Sequence, residues 1–102
     1  MAEQDKQLIS EYMGWELSVY SREYYYIPKN GKVVYFDLTD AGLVVAEMQK
    51  RGEWWEFHNF ARNLYYTTNR SGLKIDYNFT AWLFVAENFF GAMAAWIKER
   101  KK

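Results

Sequence analysis

An aromatic ring on roughly every fifth residue constrains this chain more than any other feature: five Trp, nine Tyr and seven Phe occur among 102 residues. So many rings cannot all remain in water, and each one removes about 150–250 Å² of surface when buried. The chain must build a substantial core. Large rings also recur where small proteins meet partners, so the same excess points to contact surfaces. A length of 102 residues fits one domain, residues 1–102. The 50% hydrophobic content argues against disorder.

Thirteen Lys and Arg balance thirteen Asp and Glu. Without a basic excess, double-stranded nucleic acid is a poor choice of partner. Near-neutrality also removes the repulsion that keeps copies apart, which favours self-association. The lack of Cys removes disulfides, thiolate nucleophiles and Cys-based zinc sites, and it fits a cytosolic protein. Met1–Lys6 is polar and offers no apolar signal core, so no targeting leader is expected. The longest apolar stretch, Ala81-Trp82-Leu83-Phe84-Val85-Ala86, is far short of the roughly 20 residues that span a bilayer. No membrane segment is expected.

Apolar spacing organises the chain. Leu8, Ile9, Tyr12 and Met13 make one stripe on a helix over 3–13, which Gly14 ends as a left-handed cap. Trp15–Tyr20 alternates with period two and reads as extended. Tyr24-Tyr25-Tyr26-Ile27 and Lys32–Phe36 are rich in β-formers, and Pro28-Lys29-Asn30-Gly31 lies between them. Asn-Gly supplies the positive φ angles of a tight turn, so the two runs are expected to pair as a hairpin. Asp40, with Thr39 as the alternative, is the expected N-cap of an amphipathic helix ending at Gly52.

Residues 53–77 allow two readings. Trp54, Glu56, His58 and Phe60 alternate with Trp55, Phe57 and Asn59, while Leu64–Thr68 and Leu73–Tyr77 are β-like. Trp54, Phe57, Ala61, Leu64 and Tyr65 also match helical spacing. Gly52 favours the strand reading, so two or three further strands are expected here. Residues 79–100 form the best helix, with Phe79, Trp82, Leu83, Ala86, Phe89, Phe90, Met93, Ala94 and Ile97 on a broad apolar face. The sum is an α+β fold: a layered α/β/α-type sandwich, with a mainly antiparallel sheet of three to five strands covered by about three helices.

Glu11-Tyr12-Met13-Gly14-Trp15-Glu16-Leu17, the Tyr-rich hairpin, the helix beginning near Asp40 and the closing Ala94-Ala95-Trp96-Ile97-Lys98 together resemble the phage ABA sandwich domain family. These are small proteins encoded by phages and prophages, and the resemblance covers about residues 5–100. It implies a layered sandwich and a mobile-element origin, in the cytoplasm of a bacterial or phage-infected cell. It implies no reaction and no catalytic residue.

The residues agree that chemistry is scarce. His58 is the only histidine, no G-x-S-x-G elbow surrounds any Ser, and no Gly-rich phosphate loop appears. His58 stands among Trp55, Phe57 and Phe60, so a packed imidazole is the favoured reading. Glu53 and Glu56 would face opposite ways on a strand. Glu87 and Asn88 lie among large apolar residues and need partners if they are buried. No enzyme, metal site or cofactor is expected. The first hypothesis is a non-enzymatic accessory protein that binds a host or phage protein, or itself, through exposed aromatics at Tyr24, Tyr25 and Tyr26 or in the 53–66 segment. The alternative is a binder of a nucleotide-like ligand. There Trp54, Trp55 or Tyr65 would stack on a base while Arg62 or Arg70 met a phosphate.

Overall fold

The computed structural model describes residues 1–20, 23–28, 31–68 and 75–102. In chain order the elements are α1 (Glu3–Met13), β1 (Glu16–Tyr20), β2 (Glu23–Ile27), α2 (Leu38–Lys50), α3 (Trp54–Thr68), α4 (Ile75–Leu83) and α5 (Ala86–Arg100).

Helix α1 ends as its sequence suggests. Gly14 takes φ 74°, a left-handed conformation that costs a residue without Cβ little. Its N–H donates to Glu11 O at 3.3 Å, and Trp15 N–H reaches back to Ser10 O at 2.9 Å. The chain then leaves as β1, which pairs antiparallel with β2 in a register that sets Leu17 opposite Tyr26 and Val19 opposite Tyr24. Two strands alone are marginal in water. This pair is anchored at its base by Phe36, whose ring meets Trp15, Tyr26 and Phe90 edge-on at 5.4–6.1 Å. Phe36 itself holds φ 56°, a strained value for a side chain of this size that three ring contacts secure.

Helix α5 is the centre. It packs against α1, α2, α3 and α4, and it buries Phe89, Phe90, Ala92, Met93, Ala94, Trp96 and Ile97. Ile9 from α1, Val44 and Met48 from α2, and Phe57 and Ala61 from α3 complete the fully enclosed part of the core. Burying a side chain such as Phe57 contributes about 1.5–3 kcal/mol.

The expected sandwich is therefore corrected. Among the described residues there are five helices and one two-stranded sheet, not three to five strands covered by about three helices. The rings do find cover, but helices supply it. Residues 54–68 are helical because Phe57, Ala61 and Tyr65, four apart, all reach the core. The apparent alternation of Trp54, Glu56, His58 and Phe60 has no burial to match it. Gly52, at φ 72°, ends α2 as anticipated, yet a second helix starts two residues later.

The strand expected near 73–77 is replaced from Ile75 onward by α4; residues 71–74 lie outside the described set. The single helix expected over 79–100 is broken at Phe84 and Val85. There Asn88 Nδ2 donates to Trp82 O at 3.0 Å, satisfying a carbonyl at the end of α4. The hairpin is displaced too. The run 32–36 forms no strand; Val34 N–H donates to Tyr26 O at 2.9 Å and so ties the run to β2. The N-cap of α2 is Asp37, not Asp40 or Thr39. Asp37 accepts from Asp40 N–H at 3.0 Å, and Asp40 Oδ2 accepts from Asp37 N–H at 3.4 Å and from Tyr35 N–H at 2.8 Å.

Candidate functional site

Three helices leave an apolar groove of about 360 Å³ between them. One wall is the first half of α2: Leu38, Ala41, Gly42 and Val45. The second is the start of α3, Trp54 and His58. The third is α4 and the break after it, Phe79, Thr80, Leu83 and Phe84, with Phe89 of α5 beneath. Gly42 sits within α2 on one wall, and a Cβ built on it would meet nothing within 4 Å, so that wall is open at this position.

The rim is as apolar as the walls. Phe84 is 67% exposed and Leu38 is 52% exposed. Trp55, 68% exposed, does not line the groove; it stands edge-on to His58 at 5.4 Å and borders a separate hollow with Gln49 and Gly52. Large apolar side chains are also exposed elsewhere, Tyr35 and Tyr24 among them, but here they border a concave apolar surface. Among the described residues His58 is the one ionisable side chain lining the groove. Trp54, Trp55 and Phe79 enclose its ring at 5.4–5.7 Å. Its Nδ1 is shut away from solvent with no hydrogen-bond partner among the described residues. The imidazole is thus packed between rings, as its neighbours in sequence suggest.

The residues singled out from sequence are not gathered into one place. Trp54 lines the groove and Trp55 stands beside it. Tyr65 is buried among Tyr66, Phe79 and Trp82, so its faces are spent on the core. Arg62 Nε donates to Tyr66 Oη at 3.1 Å, one helical turn away. Arg70 lies outside the described residues. On the hairpin, Tyr26 is buried, Tyr25 is half-buried and donates its hydroxyl to Glu23, and Tyr24 is 66% exposed. A shallower hollow of about 180 Å³ runs beside these tyrosines. Sequence reasoning missed Gly42, Leu38 and Phe84. The signal for Gly42 was present, since glycine in mid-helix costs stability and asks for a reason.

Charged side chains cluster elsewhere. Glu53 accepts from Tyr12 Oη–H at 2.9 Å and pairs with Arg100, while Glu56 lies 4.0 Å from the same Arg100. These carboxylates hold helices together; they do not face a common substrate. Burial, followed by the bond to Glu53 and its charge, pushes the Tyr12 hydroxyl up to about 12. Among the described residues no group of three or more His, Asp or Glu could hold a metal ion. No helix among them is long and apolar enough to cross a membrane.

Compared with known proteins, the chain matches no family model, no curated protein and no solved structure.

Proposed function

We propose that this protein is a non-enzymatic docking protein, and that the groove between α2, α3 and α4 is its working surface. The observation that carries this reading is a concave apolar surface, open over Gly42, whose rim keeps Phe84 and Leu38 largely in solvent. A partner contributing apolar side chains would bury those two, which is how a few central residues dominate small interfaces. The lining suits an uncharged apolar surface better than a phosphate. The sequence resemblance extends the proposal to an accessory role in a phage or prophage, with a host or phage protein, or a second copy, as the partner.

A photoreactive benzophenone amino acid at Leu38 tests this in extracts of the encoding organism. Irradiation should give adducts of discrete mass that are absent when the group replaces Lys101, which pairs with Glu11 of α1 away from the groove. Identical adduct patterns from both positions, or none from Leu38, would defeat the reading.

A further inference from the structure

We propose that the occupant of the groove is a second copy of this chain, with Phe84 of each copy entering the groove of the other about a two-fold axis. This rests on the docking reading above and names its partner.

A two-fold interface must be self-complementary: one patch has to carry both what projects and what receives it. This patch does. Phe84 sits at the break between α4 and α5, on the rim of the groove and two-thirds exposed. The receiving surface lies beside it, open over Gly42, where even a methyl group would meet nothing within 4 Å. Its aromatic walls, Trp54, His58 and Phe79, offer ring edges and faces to an incoming ring.

Electrostatics permits the approach. Among the described residues no Asp, Glu, Lys or Arg lines the groove, so closing it over them strands no charge. The formal net charge of zero means that two copies do not repel as wholes. The area is sufficient for a weak dimer. Phe84 and Leu38 on the groove, with Val85 next to Phe84 and Trp55 beside His58 flanking it, are about half to two-thirds exposed and together offer roughly 400 Å² of side chain per copy, taking rings at about 150–250 Å² each. With the groove walls, a pair buries on the order of 1,000 Å², the lower bound for specific interfaces. The dissociation constant is therefore expected in the micromolar range.

Light scattering on a sizing column, run from micromolar to near-millimolar protein, tests this. The wild type should pass from monomer to dimer. Phe84→Ser, which removes the projection, and Gly42→Leu, which fills the hole, should each weaken association by at least about tenfold. Val19→Ser on the exposed face of the hairpin should leave it unchanged. Circular dichroism confirms that each variant is folded, and Phe84→Ala replaces Phe84→Ser if that chain is not.

The chain has no cysteine, which allows a second, geometric test. An equimolar mixture of Gly42→Cys and Val85→Cys chains, which leave the Phe84 ring in place, oxidised mildly, should give mixed disulfide dimers well above the statistical proportion. A statistical distribution would overturn the proposal, as would a dimer that Val19→Ser abolishes and Phe84→Ser spares. A strictly monomeric wild type would also overturn it. If that monomer still binds a neutral environment-sensitive dye that Gly42→Leu excludes, only the choice of partner falls; if it binds none, the docking reading falls as well.

Discussion

Glu53 holds three helices at one point, and its removal should show how strongly. Its carboxylate accepts from Tyr12 Oη–H at 2.9 Å on α1 and pairs with Arg100 at the end of α5, while its own N–H donates to Met48 O at 2.8 Å at the end of α2. Replacement by Ala keeps the backbone bond and strips the other two. A hydrogen bond to a charged group is worth about 1.5–3 kcal/mol, and a part-exposed ion pair up to about 1 kcal/mol. Tyr12 and Arg100 both remain partly in solvent, so the lower halves of those ranges apply. Glu53→Ala should therefore cost about 2 kcal/mol. Urea denaturation followed by circular dichroism measures this as a fall in midpoint at constant slope. The sharper test is a cycle with Tyr12→Phe. Residues in direct contact should show a coupling of about 1 kcal/mol. If the two single changes add to within about 0.3 kcal/mol, Tyr12 and Glu53 are not joined, and α1 is not fastened to the α2–α3 junction in this way.

Three further outcomes can be expected from the same structure. Asp37→Ala removes the cap of α2 and should cost about 1 kcal/mol in the same denaturation assay; Thr39→Ala should cost much less. Tyr12 should be among the last tyrosines to ionise in an ultraviolet difference titration, near pH 12, and it should move back toward 10.0 in Glu53→Ala. Its folded value is raised, so the stability linked to it is complete below pH 10 and declines as pH rises through about 12; stability that is flat across that window would contradict the linkage. Gly42→Ala should stabilise the fold by about 0.5–1 kcal/mol, because the added methyl enters open space on a helix. A loss of stability would show that the position is crowded.

How much of this could be read from residues depended on whether a signal had one meaning. The stripe Leu8, Ile9, Tyr12 and Met13 with Gly14 after it admits a single reading, and α1 spans 3–13 as expected. Gly52 has two: it ends a helix, but it is equally compatible with a strand or a second helix after it, and the chain forms α3. Trp54–Phe60 alternates only because rings are so frequent that several periods can be drawn through them. Gly31 N–H donates to Pro28 O at 2.9 Å, yet the strand that pairs with β2 is β1, on its N-terminal side, and not the run after Gly31. The break at Phe84 left no mark, since both sides of it are equally apolar. Trp54 and Trp55 could be singled out as candidates because Trp is large wherever it stands, and of the two only Trp54 lines the groove. Leu38 and Phe84 could not, because only the packing of three helices leaves them uncovered.

Binding of a neutral environment-sensitive dye to the wild type and to Gly42→Leu tests the groove most directly. The wild type should show saturable binding that reports an apolar setting, and the filled variant, equally well folded, should lose it. Equal binding by both chains would mean that the space over Gly42 is not the surface this protein uses.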